Sequence, residues 1–170
     1  LRHSSAASDV YKRQDQREMN SKIYYIRYPI DKSKEFITIA TTRPETMLGD
    51  TAIAVNPKDK RFKKFVGMTV TIPIVGRKIK IIKDNYADPE QGTGALKITP
   101  AHDFNDYEVG QRNNLEIINV FTKDGKINKN APENYIGLDR FEARKKILEE
   151  LREKDFFCLL YTSDAADEWR

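Results

Sequence analysis

Between Lys97 and Asp106, in the stretch KITPAHDFNDYEVG (97–110), stand a lysine, a threonine, a histidine and two aspartates. Asp103 and Asp106 are spaced i, i+3, so on a helix they share a face. In a first turn, the free N–H groups and the helix dipole favour ionised carboxylates. Two such acids aimed into one recess would receive an ammonium group. The plainer alternative is that Asp103 caps the helix and Asp106 is a solvated first-turn acid. Lys97 and Thr99 fall on one face of the preceding strand, because side chains alternate with period two. Both could then reach the acids, although a strand lysine by itself is commonly a surface group. His102 could act as a base, yet no serine or cysteine nucleophile motif accompanies it. A histidine hydrogen-bonded at the turn is its other role.

TTRPET (41–46) is a second polar cluster, with Pro44 fixing a turn after a strand. The hydroxyls of Thr41, Thr42 and Thr46, with backbone N–H groups, could cradle a polar head group or a water. Arg43 could meet a phosphate or a ribose. A polar strand-to-turn cap is the competing reading. The two glycines of EQGTGA (90–95) suit a bulge or a close backbone approach to a ligand. They form no phosphate-binding loop motif. A multi-histidine metal site is excluded, since the other histidine, His3, lies near the N-terminus, and no metal is expected.

The elements that must position these groups are mostly strands. Apolar alternation predicts strands over 22–30, 35–42, 50–55, 94–100 and 116–121, and a hairpin over 68–84 turning near Gly76. Asp124-Gly125 predicts a turn. Helices are expected over 57–67, with Pro57 at the first turn and Gly67 as C-cap, over 102–114, and over 138–154. The last begins Asp139-x-x-Glu142, a capping-box pattern, and carries an apolar stripe of Phe141, Ile147, Leu148 and Leu151. Residues 128–138 read as a short linker. The fold class expected is α+β, β-rich, with an antiparallel barrel-like core and peripheral helices.

At 170 residues, 33% of them charged, the chain suits one domain with a real core. No apolar run approaches the roughly 18 residues of a membrane span, and no membrane partner is expected. A net charge of +4 permits a polyanionic partner without requiring one. One cysteine forbids an internal disulfide and fits a reducing, cytoplasmic setting.

The two ends differ from the middle. SSAASDVYKRQ (4–14) can be back-translated so that the complementary strand, read one base out of frame, encodes CLLYTSDAADE (158–168). One inverted DNA element, resembling a sequencing-library adaptor, accounts for both. The organisation expected is therefore a non-native tail over 1–14, a domain over 15–137, a helix over 138–157 leading out of it, and a second non-native tail over 158–170.

Taken in order, TTRPETMLGDTAIAVNP, GTGALKITPAHDFNDYEVGQRNNL and NKNAPENYIGLDRFEARKKILEEL resemble the editing domain of valyl-tRNA synthetases, over nearly all of 22–157. Isoleucyl and leucyl enzymes carry related motifs, but Lys97 with Thr99 ahead of PAHDFND is more similar to the valyl form. The resemblance implies hydrolysis of threonine from mischarged tRNA(Val), because a valine pocket rejects threonine poorly; the recorded discrimination is only about 10²-fold. It implies that Asp106 clamps the substrate's α-ammonium, and that Lys97, Thr99 and Asp103, with His102 nearby, form the side-chain pocket. Thr41, Thr42, Arg43 and Thr46 would hold the terminal adenosine, the ester and the attacking water. The implied partners are the acceptor end of tRNA(Val) carrying threonine and the remainder of a parent synthetase, with the chain otherwise a monomer. No cofactor is implied, ATP being used only by a nucleotide-activating domain whose HIGH- and KMSKS-type signatures this sequence lacks. Two alternatives stand beside this: an isoleucyl- or leucyl-type editor, which Lys97 and Asp103 disfavour, and an RNA-binding module without catalysis.

Overall fold

The computed structural model describes residues 22–162, and the tail over 1–14 and the end of the second tail lie outside them. Seven strands form two open sheets. The first has the order β2-β1-β7, from β1 (Lys22–Pro29), β2 (Phe36–Thr41) and β7 (Phe157–Thr162), all antiparallel. The second has the order β4-β5-β3-β6, from β3 (Ala52–Val55), β4 (Thr69–Thr71), β5 (Lys78–Lys83) and β6 (Ala95–Ile98). In it β3 runs parallel to β5 and antiparallel to β6. The fold is thus β-rich and mixed, but no sheet closes into a barrel. A single bridge, Ile30 to Val70, links the two sheets.

Two helices flank the sheets, α1 (Phe104–Arg112) and α2 (Arg140–Glu153). Both begin as their sequences predict. The Asp103 carboxylate accepts from the N–H groups of Asn105 and Asp106, and that of Asp139 accepts from Phe141. The main core lies between the sheets and α2: Ile26, Ile37, Ile39, Ile53, Val55 and Ile147 are among its members. A smaller cluster of Ala52, Ala54, Ile98 and Val109 sits beneath α1. β3 is buried on both faces as a result, which explains its unbroken apolar run.

Four expectations are corrected. Residues 57–67 form turns with only a short 3-10 segment, Lys63–Phe65. Asn56 and Asp59 capture the N–H groups of Lys58 and Arg61, so side chains outcompete a helical ladder there. Residues 116–121 make no strand, only an isolated bridge from Phe121 to Ile127. Residues 128–138 are no linker, because Tyr135 is fully buried and its hydroxyl donates to Glu150 of α2. On α2, Phe141 lies exposed, while Ala143 and Arg144 are buried with Ile147 and Leu151. That helix ends at Glu153, and the chain turns back into β7. β7 includes Cys158–Thr162 of the tail set apart on DNA grounds, and its backbone pairs with Lys22–Ile26.

The connection from β2 to β3 is a 3-10 turn, Pro44–Gly49, with all six residues buried. A Cβ on Gly49 would stand 2.8 Å from the Ile118 carbonyl oxygen and 3.3 Å from Thr99 Cγ2. Gly49→Ala is expected to lower stability by about 1–3 kcal/mol through overpacking, measured as the urea midpoint. An unchanged midpoint would show that the turn has room to spare.

Candidate active site

β6, the turn after it and α1 place the first polar cluster. Ile98 enters the small core under α1, so Lys97 and Thr99 emerge on the opposite face. Pro100 ends the strand, and Gly110 lies within close contact of its ring, seating α1 against β6. The helix start thereby brings Asp106 to Thr99, whose N–H donates to Asp106 Oδ2 at 2.9 Å.

β2 and the 3-10 turn bring the second cluster opposite the first. Arg43 Nη1 donates to the His102 carbonyl at 3.0 Å, joining the clusters directly. Arg43 N–H donates to Thr41 Oγ1, and Thr46 Oγ1 donates to the Arg43 carbonyl at 2.8 Å. Between the clusters lies a cavity of about 380 Å³. Thr41, Thr42, Arg43, Thr46, Lys97, Thr99, His102, Asp103 and Asp106 all line it. Lys97, Thr99 and Asp106 are nearly inaccessible, whereas Asp103 is exposed.

Asp50 is a residue that sequence reasoning missed. It is fully buried, one residue past the 3-10 turn. Its Oδ1 accepts from Lys97 Nζ and from Thr99 Oγ1, both at 2.8 Å, and its Oδ2 accepts from the Tyr28 hydroxyl at 2.5 Å. Lys97 Nζ also donates to Thr99 Oγ1. Lys97 is therefore a positioned, charge-compensated donor. In the sequence, Asp50 opens the strand expected over 50–55; its partner Lys97 lies 47 residues away and is brought to it only by the fold.

Two groups titrate abnormally. Burial pushes the Asp106 carboxyl up to about 6, against a downward pull from the Thr99 N–H and from Lys97. Burial pulls His102 down to about 4, helped by Arg43, Lys97 and Arg140. His102 Nε2 accepts the Val120 N–H at 3.0 Å, which fixes the neutral ring as a staple between the site turn and residue 120. His102 thus lines the cavity while serving the turn. Asp103 both caps α1 and lies on the cavity wall. Among the described residues no group of three His, Cys, Asp or Glu could hold a metal ion, and no helix is long and apolar enough to cross a membrane.

Known proteins resemble the chain in sequence and in fold. A family model described as the leucyl-tRNA synthetase editing domain matches residues 60–140. The fold resembles a leucyl enzyme from Agrobacterium radiobacter K84, solved as the ternary complex agnB2 LeuRS-tRNA-LeuAMS: the TM-score is 0.67 at 21% identity, covering 90% of this chain and 22% of that one. It also resembles GlLeuRS-CP1, with a TM-score of 0.63 at 13% identity over 82% of this chain and 99% of that one. The chain belongs to the editing-domain family of the aminoacyl-tRNA synthetases. Within that family its sequence goes with the valine–tRNA ligases: it is 80% identical to that of Pelagibacter ubique over 143 residues, 84% of this chain, and 54% identical to that of Thermotoga maritima over 142. The chain spans about 16% of the length of these relatives.

Two predictions follow from the electrostatics. The folded pKa of Asp106 lies above its ordinary 3.8, so the folded state binds this proton more tightly than the unfolded chain does. That contribution is complete below about 3.8 and is lost as pH rises through about 6. Asp106→Asn should therefore melt higher than the wild type at pH 7–8, with the gap closing towards pH 4; equal melting temperatures across that range would refute the assignment. Asp50→Asn should cost about 3–5 kcal/mol, since it leaves the Lys97 ammonium buried without a counter-charge, as read from urea unfolding at pH 7.

Proposed function

We propose that this domain hydrolyses the ester between threonine and the 3′ end of tRNA(Val). The observation that carries the reading is the single cavity that gathers the 41–46 and 97–106 segments. Its volume suits roughly one nucleoside with its amino acid. Its inner wall is polar: the Thr99 hydroxyl and the Lys97 ammonium can hydrogen-bond a threonine hydroxyl. A valine methyl in the same place would leave those buried groups poorly satisfied. An isoleucyl-type editor, which must hold valine, would need the reverse.

Asp106 binds the α-ammonium of the bound amino acid. An ammonium beside it favours the ionised carboxylate, opposing the burial that raises its pKa. Arg43, Thr41, Thr42 and Thr46 address the ribose, the ester and the water. In the reaction, the water oxygen bonds to the ester carbonyl carbon and the bond from that carbon to the ribose oxygen breaks. One water proton passes to the ribose oxygen and the other is released from the new carboxylic acid. His102, with its low pKa and engaged Nε2, is a poor acceptor for that proton, so the vicinal ribose hydroxyl is the group placed to relay it. Hydrolysis then draws on positioning and oriented hydrogen bonds, without a cofactor. The reading extends to the partners, tRNA(Val) and the remainder of a synthetase that consumes ATP elsewhere, and to a cytoplasmic setting. The chain is taken to act as a monomer.

The test compares tRNA(Val) esterified with threonine against the valine ester, using the whole chain and its Asp106→Ala variant at high enzyme concentration. The threonine ester should be cleaved at least about 10²-fold faster than the valine ester, with the variant near background. Equal binding of charged and uncharged tRNA without turnover would instead support an RNA-binding module. Preference for the valine ester would support the isoleucyl-type reading.

A further inference from the structure

The Pro44–Gly49 turn presents Thr46 to the cavity and leads directly to Asp50, yet it is a 3-10 segment of six residues. Runs of that geometry beyond three or four residues are uncommon, because their hydrogen bonds are poorly aligned. Within it, Thr46 N–H donates to the Arg43 carbonyl at 3.1 Å and Asp50 N–H to the Met47 carbonyl at 3.2 Å. Those two bonds flank the turn at its two ends, and 3-10 geometry by itself is a weak hold for a segment that must fix a reacting geometry.

The hold comes from outside. Glu45, only 1% exposed, accepts both arms of a guanidinium: Arg144 Nε to Oε2 and Arg144 Nη2 to Oε1, each at 2.7 Å. Arg144 stands on α2, 99 residues away in sequence, and does not line the cavity. At the far end of the turn, Arg77 Nη2 donates to the carbonyls of Leu48 at 3.1 Å and Asp50 at 2.7 Å. A fork-to-fork pair fixes orientation as well as distance. Apolar packing of α2 on the turn would hold the distance alone.

We propose that Arg144 is a positioning residue for the hydrolysis: through Glu45 it holds the turn that sets Arg43 and Thr46 in the cavity wall. The kinetic part of this rests on the deacylase reading; the structural part does not. Loosening the turn reduces the fraction of bound substrate in reacting geometry, so it lowers kcat and leaves KM largely alone.

The experiment uses the whole chain with Arg144→Met, Arg144→Lys and Leu151→Ala. Leu151 is fully buried on the same helix and does not line the cavity, so its truncation lowers global stability without cutting the pair of Arg144 and Glu45. Amide hydrogen exchange is followed at Thr46 and Asp50 relative to β3 and β5. Deacylation of threonyl-tRNA(Val) is followed well below the melting temperature. Arg144→Met should speed exchange at Thr46 and Asp50 about 10-fold more than in the two strands, and cut kcat about 10–100-fold with KM within about 2-fold. Arg144→Lys, which keeps the charge but not the fork, should fall between. Leu151→Ala should speed exchange uniformly and leave kcat unchanged. Uniform exchange in both Arg144 variants, or a kcat equal to that of Leu151→Ala, overturns the proposal. If Arg144→Met does not fold, Arg144→Lys is judged by the same two criteria. If the wild type cleaves no ester, the deacylase reading fails on its own and exchange alone decides the brace.

Discussion

The buried pair of Lys97 and Asp50 is the constraint on which the site depends. Neither charge reaches solvent appreciably: their side chains are 6% and 0% exposed. Each would be costly alone. Together, with the hydroxyls of Thr99 and Tyr28, they place three hydrogen bonds on one carboxylate. The arrangement ties β6 to the end of the 3-10 turn and to β1, three elements that no common ladder joins. Burial beside Asp50 pushes the Tyr28 phenol well above its ordinary range, which keeps it a neutral donor. A polar wall in a buried position is stable here because the Lys97 charge is met by Asp50 and two of its donors already have acceptors, Asp50 and Thr99.

The site also exploits opposite consequences of burial. Asp106 keeps its proton to higher pH than a free aspartate, and His102 loses its proton at lower pH than a free histidine. Both shifts favour neutral groups in the cavity. The stability effects oppose each other in acid. The His102 contribution is lost as pH falls from 6.5 towards about 4, while that of Asp106 is gained over much of the same window.

Local chemistry made much of this legible. The strand-Pro100-helix sequence put Asp103 and Asp106 beside Lys97 and Thr99, and both helix caps followed from single aspartates. Both polar clusters proved to face one cavity. What sequence could not show was partnership at a distance. Asp50 opens an expected strand and Glu45 sits in the 41–46 polar cluster, and their partners arrive from 47 and 99 residues away. Arg144 and Phe141 are exchanged relative to a simple apolar stripe because the brace takes the inward position. The false helix over 57–67 failed where asparagine and aspartate side chains took the backbone donors, which periodicity does not weigh.

The strand Phe157–Thr162 carries a different lesson. Most of it is the stretch expected from the sequence to be a non-native tail, yet its backbone runs alongside Lys22–Ile26, with one irregularity between Tyr25 and Ile26. Main-chain amides and carbonyls repeat identically whatever the side chains are, so an exposed margin of a sheet recruits by polarity and reach, not by lineage. Here that margin takes its neighbour from the chain just beyond the last helix, with the pairing carried by the main chain.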